Sequence, residues 1–290
     1  MIKKSGKRIY VVRRPMHIWK PGTNILRLII RVYGVLLKPN DFIVISDKAL
    51  AAAYGYLYDE SKLRANIIDK ALTYLVARFF WGRVFNGPFS SAIICTLRYT
   101  PLEVLASHKK LALIVGGLKH FFKPVSEAGI DTSNLPKSYV SLPVKEIGKI
   151  VHEIREELTR RLHFNINILI LDTDKTFQLK NIDNIAFSTR PSSVRGIIDL
   201  GGVAYFLGKK FRGCFREYPT PVAYSGIWIG LKKILHLSKI VEKYRGYGAG
   251  RDLIEMMWRL KVKSCDEITW SKISRFKHYP VLVVRIGGFN

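Results

Sequence analysis

The apolar run Ile166–Leu171, followed at once by Asp172 and Thr173, constrains this chain more than any other stretch. It is short, rich in isoleucine and leucine, and bounded by polar residues, the pattern of a buried strand. Asp172 and Thr173 then fall at the strand's C-terminal mouth, where α/β folds gather ligand-handling groups. Upstream, Pro143–Leu162 places Ile147, Ile150, Val151, Ile154 and Leu158 on one side, which predicts an amphipathic helix. Its other side mixes Glu153, Arg155, Glu156, Glu157, Arg160 and Arg161, a solvated charge pattern that makes those glutamates poor catalytic candidates. Such a helix returns the chain, so that Asp131, in a Gly- and Ser-rich turn before it, can join Asp172. Two carboxylates and a hydroxyl suit a hard divalent cation, magnesium or manganese. The same aspartates also read as an Asx-turn residue and a strand-end cap.

"AGIDTSN" (128–134), followed by "ILILDT" (168–173), resembles the coenzyme F420-0:γ-glutamyl ligase family, whose members carry an AGID-x-SN turn and a later apolar strand ending in Asp-Thr. The resemblance implies that Asp131, Asp172 and Thr173 bind divalent metal (Mn2+ or Mg2+), and that Asn134 contacts a guanine nucleotide. "PNDFIVISDKA" is similar to the family's nucleotide-pocket strand, matching at Asp41, Ser46 and Gly55, and puts Ser46, Asp47 and Lys48 beside the nucleotide. The family's lysine before a Glu-Gly pair is absent. Lys48 stands earlier and either takes over that phosphate contact or is a solvated lysine. After Asp172-Thr173 the family shows Gly-Arg and a further Arg, whereas here Asp174 and Lys175 follow, leaving Lys175 and Arg190 as the available cations.

Taken in order, Ile9–Val12 predicts a first strand, Asn24–Leu37 an amphipathic helix and Phe42–Ile45 a buried strand. Asn66–Val84 reads as an aromatic-rich helix. With Arg78, Arg83 and Arg98 interleaved, Phe79–Tyr99 fits a membrane surface or a partner, or a core helix whose arginines snorkel, the reading preferred here. His108 sits in a polar turn and is read as structural before acid–base. Ile227–Tyr244 predicts a basic helix leading into Gly246, Gly248 and Gly250, flanked by Arg245 and Arg251. Those glycines would let backbone amides approach a phosphate. Tyr247 stands where the family places an acidic metal ligand, with Asp252 nearby. Residues 253–277 look like an insertion before a closing strand, "HYPVLVVR". The glycines of "RGIIDLGGVAYFLGKKFRG" match neither a dinucleotide fingerprint nor a P-loop.

The chain has 290 residues and a formal net charge of +26. Such a field draws polyanions: nucleic acid, anionic lipid or phosphorylated small molecules. The basic residues are spread along the whole length, which is equally the pattern of a generally basic surface. Cys95, Cys214 and Cys265 are far apart and odd in number, so neither a zinc motif nor a disulfide framework is expected, and a reducing cytoplasm fits. No apolar run is long enough to span a bilayer, since Arg31, Arg78 and Arg83 interrupt the candidates, and the basic N-terminus does not read as a signal peptide.

The expectation is an α+β unit over residues 1–290, with mixed sheets, flanking helices and two lobes. The resemblance implies a homodimer and a GTP-dependent amide ligase. In that reaction GTP phosphorylates a carboxylate of a deazaflavin precursor or related acid, and L-glutamate attacks the acyl phosphate. Asp131, Asp172 and Lys175 are its candidate catalytic residues. The rival reading, from charge and the replaced residues, is a non-catalytic protein of the same fold that binds nucleic acid or another polyanion.

Overall fold

A computed structural model describes residues 2–4, 7–85, 87, 91–125, 129–136, 138–250, 253–264 and 267–287. The fold is mixed α+β. Its main sheet has eight strands: β1 (Ile2–Lys4), β2 (Lys7–Arg13), β3 (Phe42–Ser46), β4 (Asn167–Leu179), β5 (Ala186–Ser188), β6 (Ile197–Asp199), β7 (Phe215–Ser225) and β8 (Val281–Ile286). They run in the order β1-β2-β8-β3-β4-β5-β6, with β7 along the opposite edge of β4. β3 pairs β4 in parallel, whereas β8 pairs both β2 and β3 antiparallel.

Side chains alternate across a strand, so one apolar run serves two cores. Ile43, Ile45, Ile168, Ile170, Val281 and Val283 face the helices Ile25–Tyr33 and Ile147–Leu162. Phe42, Val44, Leu169, Leu171, Leu282 and Val284 face the helix Leu231–Glu242. The expected Asn24–Leu37 helix has Asn24 as its cap, its side chain accepting from Arg27 N, and ends in a 3-10 turn. Pro143–Leu162 starts its helix only at Ile147, because Glu146 is left-handed with φ 49°. Beside them the helices Ile67–Thr73, Tyr74–Val84, Ser91–Tyr99 and Leu102–Gly116 form a further apolar cluster around Ala77, Trp81, Leu97 and Leu105.

One expectation needs correcting. Asp172 and Thr173 do not end a strand, because β4 continues to Leu179. Its antiparallel partner β7 supports it along its length, from Ile168 to Leu179. The site instead arises from a parting of neighbours. β3 pairs β4 only as far as Leu171, and β5 takes over the same edge from Thr176. Residues 172–175 face the opening between them. On the other edge, a register shift at Pro219/Thr220 falls opposite the same residues, between Lys175 and Asp172, and a second at Pro221/Ala223 lies opposite Leu171 and Ile170. Prolines supply no ladder N–H and belong at such breaks; Thr220 Oγ1 fills in by donating to the Asp174 carbonyl at 2.9 Å.

Candidate active site

Into the opening beside Asp172 turn the residues that follow β3 and β5. Asp47 begins the helix Asp47–Ala53 after Ser46, and Arg190 follows Ser188 and Thr189. Arg190 is buried and its Nη1 donates to Asp47 Oδ2 at 2.6 Å and to Asp172 Oδ2. Gly129, at φ +78°, lies flat against that guanidinium: a Cβ there would stand 2.5 Å from Arg190 Cζ. Next along β4, buried Asp174 accepts from Lys123 Nζ at 2.8 Å. The sheet therefore carries a buried chain of alternating charge under the Asp172 face.

Above it opens a cleft of ≈ 320 Å³. Asp131 reaches its wall through a two-residue bridge to Ser141, which fixes its backbone. Asp131 Oδ1 accepts from Ser133 N at 2.8 Å, an Asx-turn, and Oδ2 is ion-paired with Lys48, which also contacts Ser133 Oγ. Facing this pair, the turn after the Leu231–Glu242 helix presents Gly246, Gly248 and Gly250. Asn134, left-handed at φ 62°, pins that turn: Oδ1 accepts from Ala249 N at 2.6 Å, and Nδ2 donates to the Tyr247 and Gly250 carbonyls at 3.2 and 3.3 Å. The approach is so close that a Cβ on Gly248 would overlap the Asn134 amide oxygen. Arg245 bridges the walls, donating to Ser46 Oγ at 2.7 Å and to Glu242 Oε2 at 3.2 Å. Lys175 lines the floor and is paired at 3.2 Å with Glu217.

Ser46, Lys48, Asp131, Asn134, Asp172, Thr173, Lys175, Arg245 and the three glycines thus share one cleft. Asp47 does not. It is buried behind the wall because its carboxylate turns in to Arg190. Arg251 and Asp252 lie outside the described residues. Sequence reading missed Glu242, Ser133, Trp19, His278 and Tyr279, which also line the cleft. Glu242 had a signal, standing three residues before Arg245 at the helix end; the His278-Tyr279 pair had only its place at a strand entrance. His108, ion-paired to Glu60, is not among the cleft residues.

Burial alone would raise the Asp172 carboxyl, but the Arg190 guanidinium, with Arg245 and Lys48, outweighs it and holds Asp172 below the usual range. For Asp47 burial wins and, with help from the Asp172 charge, pushes the carboxyl up against Arg190's pull. Burial likewise raises Asp174 to about 6, against Lys123. The carboxyl that opens on the cleft, Asp172, is therefore the one whose charged form its surroundings favour. Cleft oxygens from Asp131, Asp172, Thr173 and Glu242 suit Mg2+ or Mn2+. Among the described residues no three acidic, imidazole or thiol groups converge to enclose an ion. A cation here would share its coordination with water and a ligand's phosphates, the usual habit of magnesium.

His278 gives a pH prediction. Burial, with Arg245 and Lys48 pushing the same way, holds its imidazole down at about 4. Above the unfolded value of about 6.5 both states are neutral and the histidine costs nothing. As pH falls from there towards about 4, the unfolded chain takes up a proton that the folded site refuses, so stability is lost on the acid side. The urea midpoint is expected to drop more steeply over this window in the wild type than in His278→Gln.

The fold and cleft define a mixed α+β protein with a cationic, oxygen-lined pocket beside a parting of strands. A family model for F420-0:Gamma-glutamyl ligase matches residues 15–214, more than half the chain, which therefore belongs to that family. Membership assigns it a γ-glutamyl ligase-type function in general terms. An uncharacterized protein of Methanocaldococcus jannaschii is 25% identical over 299 residues, covering 92% of this chain and 93% of its own. Glu242, the glycine turn and His278 lie beyond the residues matched by the family model. No described helix is long and apolar enough to cross a membrane.

Proposed function

We propose that the chain is a GTP-dependent amide ligase that joins L-glutamate to an acid of the deazaflavin-precursor type, acting in the cytoplasm as a homodimer. One observation carries this reading: the cations, carboxylates and glycine turn named above meet in a single cleft inside a ligase-family chain. Phosphoryl transfer needs positioning and positive groups around the transferring oxygens more than covalent help from the protein. Lys48, Lys175 and Arg245 supply those charges, and the backbone of the 246–250 turn offers amides to a phosphate. Ser46 and Asn134 fix the two walls between which the nucleotide lies. Asp131, Asp172 and Thr173 would hold a divalent cation, which when bound neutralises phosphate charge.

The chemistry balances in two steps. The acid's carboxylate oxygen attacks the γ-phosphorus of GTP, forming an acyl phosphate and releasing GDP. The glutamate amine then attacks the acyl carbon, expelling inorganic phosphate, losing a proton and leaving an amide.

Calorimetry of GTP binding with and without Mn2+, for the wild type and Asp172→Asn, tests the reading. Metal-dependent binding that the variant loses is the expected result. Asp172→Asn also removes one of Arg190's partners, so its unfolding midpoint is measured alongside to separate a lost site from a loosened fold. Absence of GTP binding in the wild type, at both metal conditions, overturns the ligase reading. Light scattering of the purified chain tests the dimer.

A further inference from the structure

The helical lobe exposes an apolar face that the cleft does not explain. From Ile67 the chain forms an α-helix to Thr73 and continues as a π-helix, Tyr74–Val84. Thr73, Ala77 and Trp81 point inward and are buried. Positions 68, 72, 75 and 79, spaced by four, three and four, return to the other side of a helix. There Ile68 is 68% exposed, Leu75 55% and Phe79 50%, with Leu72 also exposed. A helix apolar on both sides is ordinarily covered on both. Ion pairs Lys70–Glu103 and Lys110–Asp69 lash this helix to its neighbour Leu102–Gly116, and Arg78 donates to the Thr100 carbonyl just ahead of that neighbour. Tyr99, next to Thr100 in the chain, is itself 76% exposed.

The charge around this face identifies what covers it. Residues 60–118 contain eight Lys and Arg but only three acids, Glu60, Asp69 and Glu103. Each acid already has a partner, His108, Lys110 and Lys70 respectively. Among the described residues no ion pair is found for Arg64 or Arg83, both exposed. Arg78 and Arg98 donate to backbone carbonyls, and among the described residues no ion pair compensates their charge. A second copy laid on this face would set one cationic rim against another, an arrangement that like charges disfavour. An anionic lipid surface satisfies both features at once, its acyl region taking the apolar stripe and its headgroups the arginines.

We propose that the Ile67–Val84 helix lies on, without crossing, an anionic membrane surface. The occupant is the lipid surface itself, and the site is separate from the nucleotide cleft.

Co-sedimentation with vesicles of phosphatidylcholine alone and with added phosphatidylserine tests this, using the full chain, Leu75→Glu, Ile68→Glu and Arg83→Glu. The wild type is expected to pellet with the anionic vesicles only, and less so at high salt. Leu75→Glu and Ile68→Glu should bind at least about tenfold more weakly, and Arg83→Glu several-fold more weakly. Exposed substitutions of this kind leave the inward face intact, and far-ultraviolet circular dichroism confirms the fold of each variant. Wild-type protein that stays in the supernatant with anionic vesicles overturns the proposal, as does equal binding by all variants. So does a dimer in the wild type that Leu75→Glu converts to a monomer, which would assign the face to a second copy. None of these outcomes depends on GTP, so the proposal can fail while the ligase reading stands.

Discussion

Arg190→Ala is expected to lower the unfolding free energy by about 3–5 kcal/mol, the usual cost of removing one member from a buried ionic group. The guanidinium is buried and serves two carboxylates, Asp47 and Asp172, that approach it from different elements. Removing it strips Asp172, at the cleft, of its counter-charge and leaves Asp47 buried without its ion pair, its other oxygen having no partner among the described residues. Lysine is a poor replacement, because its flexible stem and compact ammonium lack the planar guanidinium that lies against Gly129 while one nitrogen, Nη1, serves both acids. Gly129→Ala should act through the same contact, forcing the guanidinium aside from a left-handed position that disfavours alanine. The double variant should then cost less than the sum of the two, as groups in one network do. Urea unfolding of the three proteins checks this. Wild-type stability in Arg190→Ala would show that the cluster is not what holds the parted strands together.

Lys48→Ala should behave in the opposite way, with a small effect on stability and a large one on ligand binding. Its ion pair with Asp131 is partly exposed, and pairs of that kind contribute roughly 0–1 kcal/mol. A lysine donating to a phosphate makes a charge-assisted hydrogen bond of about 1.5–3 kcal/mol. GTP affinity should therefore fall roughly ten- to hundredfold by calorimetry. The competing role for Lys48 is to mask Asp131. In that case the alanine variant would bind Mn2+ more tightly and GTP no worse, and the phosphate role would be lost.

Much of the architecture could be read from local pattern. The burial of Phe42–Ile45 and Ile168–Leu171, the Ile147–Leu162 stripe and the Asn24 cap all follow from side-chain pattern and capping chemistry, which act within a few residues. Motif spacing also named most of the cleft, from Ser46 and Lys48 to Asp131, Asp172 and the glycine turn. The role of Asp47 was not legible, since a carboxylate after a strand looks the same whether it faces a ligand or a buried arginine. Nor was Arg190 placed as the partner of Asp172, because that depends on two strands leaving one edge of β4 at different points. Asn134 lines the cleft, and only the fold shows that its amide is also bonded to a turn more than a hundred residues later. The aromatic helix was read chiefly as core, and only packing shows that Trp81 is inside while Phe79 is not.

Sequence alone determined the elements and the chemical types at the cleft, because period, caps and charges are properties of neighbours along the chain. Tertiary structure alone decided which carboxylates open on the cleft and which way each is shifted, since burial and the Arg190 pairing depend on groups brought together from distant parts of the fold.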